Sequence, residues 1–188
     1  MHRSQRIGLL EGKTVNLKMI EKDDLPLLVE WFNQPEFTGR YDILTQSSKT
    51  DMEKMLDRPD RPKSFFIQKK DGTKVGFIQS RDVVPSMSGM CGLSLGYCLL
   101  PSERGKGYCT EAVNLLLDYL FLSTAVVRIE AHTDVRNLAS QKVLEKAGFS
   151  KEGVIRKGMF AWGEWRDGYL YSVLREDWKE PKILTKTA

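Results

Sequence analysis

The run Pro101-Ser102-Glu103-Arg104-Gly105-Lys106-Gly107-Tyr108-Cys109-Thr110-Glu111 sets two glycines and two cations between a strand-like and a helix-like apolar segment. That combination suits a diphosphate. Glycine lets the backbone approach an anion closely, N–H groups at a helix start donate to phosphate oxygens, and the helix macrodipole favours negative charge there. Arg104 and Lys106 would add charge-assisted contacts. An ordinary strand-to-helix turn with solvated cations fits the composition equally well. Two other phosphate loops fail on spacing. Lys106 is not followed by Ser or Thr as a P-loop requires, and Gly105-x-Gly107 is followed by Thr110 where a dinucleotide fingerprint needs glycine.

Other reactive side chains are sparse. Asn137 can cap a helix through its side chain, with Ser140 in the first turn. Cys109, at a helix start beside Arg104 and Lys106, is expected to have a lowered thiol pKa. Its alternative is to turn under the helix and stay inert. Cys91 and Cys98 read as small buried hydrophobes. His132 ends a strand and reads as structural or surface-lying. With three cysteines, no C-x-x-C pair and only His2 and His132 as imidazoles, neither a disulfide scaffold nor a metal site is expected. Trp31, Phe32, Phe37 and Tyr41 form one aromatic cluster; Phe160, Trp162 and Trp165 form another, with Glu164 and Asp167 close by.

These residues need elements to position them. Thr14–Met19 alternates as a strand, and Asp23 or Asp24 can cap a helix running to about Asn33, ended by Pro35. Ser47–Leu56 reads as a weaker helix. Ser64–Lys69 is a strand that turns at Asp71-Gly72 into Val75–Val84. Pro85 to Gly89 is a loop before the strand Gly92–Leu100. Thr110–Leu122 is apolar nearly all round, as in a helix buried on a sheet. Val126–His132 alternates, with Val127, Ile129 and Ala131 on one face. Asn137–Ala147 is amphipathic, with Leu138, Ala139, Val143, Leu144 and Ala147 in line and Gly148 closing it. Ser150–Arg156 and Gly168–Arg175 are strands around an aromatic loop, Gly158–Asp167. Interleaved strands and helices give an α/β (α+β) class with one mixed sheet.

The chain has 188 residues, 41% hydrophobic and 29% charged, with a net charge of +4. That is enough for one domain with a real core, placed at about 13–178 with short flexible tails. So small a charge argues against nucleic-acid or membrane-surface binding. The stretch Val113 to Val127 contains Asn114 and Asp118 and cannot span a bilayer. The first residues lack the apolar core of a signal peptide, so a cytoplasmic location is expected.

Arg104-Gly105-Lys106-Gly107-Tyr108 with Thr110-Glu111-Ala112 resembles the acetyl-CoA pyrophosphate loop of the GNAT N-acetyltransferases, which has the pattern [QR]-x-x-G-x-[GA]. Asn137-x-x-Ser140 leading into Leu144-Glu145-Lys146-Ala147-Gly148-Phe149, and the ending Gly163-Glu164-Trp165-Arg166-Asp167-Gly168-Tyr169-Leu170-Tyr171-Ser172, are similar to the RimJ/RimL-like branch. The likeness is strong from about Leu93 to Trp178 and weaker from Val15.

The resemblance implies the GNAT acyl-CoA N-acyltransferase fold, a mixed central sheet with splayed middle strands flanked by helices. Gly92–Leu100 and Val126–His132 would be the splayed pair. It implies acetyl-CoA as cosubstrate, no metal, and an amine acceptor, either a protein N-terminus or a small molecule, on a monomer or homodimer. Arg104, Gly105, Lys106, Gly107, Tyr108, Cys109 and Thr110 would hold the cofactor, with Tyr97, Leu99, Asn137 and Ser140. Ser140, or Tyr171 if it reaches, would protonate the leaving thiolate, and Glu164 would relay the amine proton. Trp31, Tyr41, Trp162 and Trp165 would border the acceptor. Three departures stand out: Cys109 replaces the last small loop residue, Leu144 the usual Tyr acid, and Ser94 the usual Glu. A non-catalytic acyl-CoA sensor is the rival from another class.

Overall fold

The computed structural model of the chain describes residues 9–57, 63–83 and 92–184. The expected loop Pro85 to Gly89, Cys91, His2 and the outermost tail residues lie outside these.

Strands form where side chains alternate between two covered faces. In the strand Lys63–Lys69 (β3), Phe65 and Ile67 enter one core while Phe66 enters another. Around it run Leu9–Glu11 (β1), Val15–Met19 (β2), Lys74–Asp82 (β4) and Gly92–Leu99 (β5), paired antiparallel in chain order. Three more strands follow: Arg128–Asp134 (β6), Ser150–Ala161 (β7) and Glu164–Leu174 (β8). The sheet order is β1-β2-β3-β4-β5-β6-β8-β7, and β5–β6 is its one parallel pair.

Among the described residues, five α-helices cover the sheet. Leu25–Phe32 (α1), Pro35–Thr38 (α2) and Lys49–Leu56 (α3) seal one face of the first half, burying Leu25, Leu28, Trp31 and Phe37 against Phe66 and Phe77. Ser48 caps α3 in a reciprocal box with Asp51. Asp24 sits before α1 but its carboxylate accepts from the Glu21 N–H and pairs with Lys74 at 2.6 Å instead of capping the helix. Pro35 does not simply stop α1; it opens α2, where its missing N–H and fixed φ are tolerated. On the other face lie Tyr108–Ser123 (α4) and Leu138–Ala147 (α5). Leu115, Leu116 and Leu117 of α4 are all fully buried or nearly so. Truncating any of them to Ala would cost about 2–5 kcal/mol.

Asp118, also fully buried on α4, is satisfied from a distance. It accepts from Trp178 Nε1 at 2.9 Å and from the N–H groups of Lys182, Ile183 and Leu184. No helix among the described residues is long and apolar enough to cross a membrane.

Three sequence expectations change. Val127 precedes β6 and is 57% exposed, so the apolar face of that strand begins at Ile129. The buried stripe of α5 is Gln141, Leu144 and Ala147; Leu138 and Ala139 are exposed. Gly158–Asp167 is not a loop. It is the outer half of the β7–β8 hairpin, closed by Trp162 (φ 54°) and Gly163 (φ 79°). Two consecutive positive φ values match the strand-compatible two-residue turn.

Candidate active site

β5 and β6 pair only from Gly92↔Arg128 to Leu95↔Ala131, although β5 continues to Leu99 and β6 to Asp134. Beyond Leu95 and Ala131 the two strands splay, as the resemblance implied. A cleft of 520 Å³ opens there, walled by Tyr97 and Leu99 of β5, Ala131 to Asp134 of β6 and Asn137, Ala139 and Ser140 around the start of α5.

The Gly-rich turn stands at one end of this cleft. Gly105 (φ 78°) and Gly107 (φ 85°) adopt the left-handed conformation that side chains resist. A Cβ at either glycine would meet nothing within 4 Å, so both face open space. Gly107 caps α4, and the unpaired N–H groups of its first turn begin at Tyr108. This is the cradle that an anion needs.

The two cations of the turn are engaged internally. Arg104 donates from Nε to the Leu99 carbonyl at 3.1 Å, and from Nη2 to the Glu36 and Phe37 carbonyls at 2.8 and 2.9 Å. It ties the turn to β5 and α2, so its expected side-chain contact with phosphate is replaced by this anchoring role. Lys106 pairs with Glu103 at 2.9 Å on the exposed side. Glu111 accepts from the Thr14 hydroxyl and from the Thr14 and Val15 N–H groups. Burial works against its charge, but those donors hold its carboxyl below the ordinary range.

Midway along the cleft, Tyr97 Oη lies 3.0 Å from Ser140 Oγ and 3.4 Å from the Ser140 carbonyl. Asn137 Oδ1 accepts from the Ser140 N–H at 3.1 Å, fixing the first turn of α5. Burial pushes the Tyr97 phenol above its ordinary value; the bond to Ser140 pulls the other way and loses. The sequence singled out both residues without pairing them.

Arg40, Tyr41 and Asp42 also line the cleft, from the loop after α2 that Arg104 ties to the Gly-rich turn. A bulge in β7 between Ile155 and Met159, with Lys157 at φ 51°, is held by Asp167, which accepts from the Lys157 N–H at 2.8 Å. Such a bulge re-aims side chains, and it brings Gly158 and Met159 into the cleft wall. Asp134, with its side chain fully buried, accepts from Arg136 at 2.9 Å and has Arg166 at 3.6 Å. Glu164 bridges the same two arginines at 3.2 and 2.8 Å. Arg136, then Arg166, hold its carboxyl below the ordinary range. Arg166 also donates to the Arg40 carbonyl, fastening the loop to the hairpin.

Several expected residues stand apart from the cleft. Trp31 is buried in the second core against Phe37 and Phe66. Trp162 and Trp165 are exposed near the hairpin tip, the latter edge-on to Phe160. Tyr171 is fully buried in the main core, its hydroxyl donating to Glu145 of α5 at 3.1 Å, and it does not line the cleft. Cys109 lines the foot of the cleft but packs against the main core. Burial pushes its thiol up to about 12, the reverse of the expected lowering. The helix-end field is outweighed because the sulfur has left water. Cys98 is pushed up for the same reason.

His132 is in the cleft wall, a position the sequence reading did not assign it. Its Nε2 lies 3.2 Å from Glu130 Oε1, in keeping with the strand alternation that puts Arg128, Glu130 and His132 on one face.

The chain matches the acetyltransferase (GNAT) domain family over residues 14–150. It is similar to the probable N-acetyltransferase YjcK of Bacillus subtilis, 30% identical over 180 residues, or 90% of this chain and 98% of that one. Among solved structures it is similar to a ribosomal-protein-S5-alanine acetyltransferase from Vibrio fischeri, with a TM-score of 0.76 at 23% identity over 91% of this chain and 98% of that one. A spermidine N-acetyltransferase from Vibrio cholerae, solved with CoA and spermine, gives 0.75 at 19% identity over 88% of this chain and 98% of that one. Both share this fold.

Proposed function

We propose that this chain, which belongs to the GNAT acetyltransferase family, moves the acetyl group of acetyl-CoA to the α-amine of a polypeptide N-terminus. The observation that carries the reading is the Tyr97–Ser140 hydroxyl pair, set in a cleft that an open anion cradle borders.

Acetyl-CoA supplies an activated thioester. The residues present fit it, since Gly105 and Gly107 leave room for phosphate against backbone N–H groups. Backbone amides from Gly105 to Thr110 hold the pyrophosphate. Residues 96–99 of β5, unpaired toward β6, offer an N–H to the thioester carbonyl as charge develops on it. Ser140, with Tyr97 behind it, donates a proton to the departing sulfur. A terminal amine, with an ordinary pKa of about 7.7, reaches its neutral form near pH 7 more readily than a lysine at about 10.4.

The acceptor mouth supports a polypeptide over a polyamine. Asp134 and Glu164 are each matched by Arg136 and Arg166, so they present no unpaired acidic row to a polycation. Phe160, Trp162 and Trp165 are 52%, 44% and 58% exposed near the tip of the β7–β8 hairpin, outside the cleft itself, a surface that a peptide extending beyond the cleft would meet.

Incubation with acetyl-CoA and a panel of peptides, spermidine and small amines, with products identified by mass spectrometry, tests this. N-terminally acetylated peptide is the expected product. Acetylated spermidine or small amine alone would overturn the acceptor assignment, and CoA binding without any product would overturn catalysis in favour of a sensor.

A further inference from the structure

Neither Tyr97 nor Ser140 is suited to take a proton from an ammonium, and Ser94, buried on β5, carries no carboxylate. Glu164 is tied to two arginines outside the cleft. The next strand supplies another group. Glu130 is the register partner of Ser94 across the parallel β5–β6 pair, and is only 7% exposed. One turn of the pleat further on, past the last paired residue Ala131, His132 enters the cleft wall with its side chain 47% accessible. Its Nε2 is 3.2 Å from Glu130 Oε1, while Arg128 approaches the other carboxylate oxygen at 3.5 Å.

We infer that His132, oriented by Glu130, is the proton acceptor for the incoming amine, an inference that rests on the acetyltransferase reading above. The carboxylate favours the tautomer with hydrogen on Nε2, which leaves the Nδ1 lone pair for the substrate proton. The ammonium gives one proton to Nδ1. The neutral amine then forms the C–N bond as the C–S bond breaks, its second proton replaces the one that Ser140 gives to sulfur, and imidazolium releases the first to water. Amide, thiol and one proton are the products.

His132 is the one imidazole among the described residues, and imidazole is the side chain that ordinarily changes charge between about pH 5 and 8. The other groups around the cleft are fixed in charge or displaced from that range. Burial raises Cys98 and Cys109 on β5 and α4, as it does Tyr97. Asp134 is held down by its arginines, against its own burial. Arg40 and Arg104 remain cationic. Asp42 and Tyr41 line the cleft from the loop side.

The test measures kcat/KM against pH for wild type, His132→Gln and Glu130→Gln on one peptide acceptor, together with acetyl-CoA affinity. Wild-type activity should rise with pH along a limb that His132→Gln abolishes, with kcat at pH 7 at least tenfold lower and the acetyl-CoA Kd within threefold. Glu130→Gln, nearly isosteric, should move the limb to lower pH, because a neutral partner no longer stabilises imidazolium. The chain has two histidines, so the His132 ring protons are assigned by their loss in the variant, and their NMR titration should move in the same direction. An unchanged limb and rate in His132→Gln would show that the amine's own titration sets the profile and would overturn the inference. A ring titration indifferent to Glu130→Gln would overturn the dyad. Wild-type protein inert on every amine would instead overturn the acetyltransferase reading itself.

Discussion

Tyr97 on β5 and Ser140 on α5 face each other hydroxyl to hydroxyl at 3.0 Å, across the gap left where β5 parts from β6. The contact joins the sheet to the helix that flanks the cleft, and it pairs a weak acid with an alcohol that could not act as one unaided.

Replacing either member should therefore affect turnover more than binding. Ser140→Ala and Tyr97→Phe are each expected to lower kcat by about 10- to 100-fold. The double variant should be little worse than the more severe single one, as for groups that act as a unit. Steady-state kinetics with acetyl-CoA titration checks this; additive losses or an unchanged kcat in Ser140→Ala would remove the pair from catalysis.

Gly107→Val should weaken CoA binding at least tenfold, about 1.4 kcal/mol. Its φ of 85° is strained for any side chain, and the Cβ would stand in space a phosphate needs. Gly76→Ala offers the contrasting case, because its Cβ would come within 2.5 Å of the Cys98 carbonyl oxygen. That variant should lose thermal stability, while Gly107→Val should lose mainly CoA affinity by calorimetry.

Iodoacetamide should label Cys109 slowly with or without CoA. A thiol pushed up to about 12 is almost wholly protonated at pH 8, and the reactive species is the thiolate. Alkylation at least ~100-fold slower than at an exposed thiol is expected by peptide mass spectrometry. Fast labelling suppressed by CoA would instead place the sulfur against the pyrophosphate.

Acid should loosen the acceptor mouth. Burial opposes the charge of Asp134, but hydrogen bonds from Arg136 and the charges of Arg136 and Arg166 depress its carboxyl below the ordinary 3.8. A depressed carboxyl stabilises the fold above its unfolded-state value, and that stability is lost as pH falls through the lower folded-state value. Melting temperature should thus decline below about pH 4, and Asp134→Asn should be less stable at pH 7 with a shallower acid dependence. Parallel acid profiles for the two proteins would dismiss the cluster as a source of stability.

Local chemistry made the cradle readable: Gly105 and Gly107 between a strand and a helix state their backbone demands in one short run. Asn137 likewise announces a cap that the Ser140 N–H indeed uses. Arg104 misled because the carbonyls it binds, on Glu36 and Phe37, lie 68 and 67 residues away in the chain. Cys109 misled because its neighbours in sequence are cationic while its neighbours in space are apolar. The β7–β8 hairpin went unseen since its turn uses Trp162-Gly163 in place of Asn-Gly, and the bulge at Lys157 breaks the alternation that marks a strand. The place of His132 in the cleft wall was not legible because it depends on where pairing with β5 ends, and no local pattern records that.

The last strand of the chain is an interior strand of the sheet. β8 inserts between β6 and β7, and the segment just after it supplies all four donors to Asp118 in the middle of α4. A nascent chain emerging from the ribosome therefore carries an unfilled slot and a buried acid without donors until residues 164–184 are free. Until that segment docks, the sheet holds an apolar helix and an open strand edge for chaperones to shield. Docking of residues 164–184, rather than the appearance of any earlier element, is the event that closes the fold.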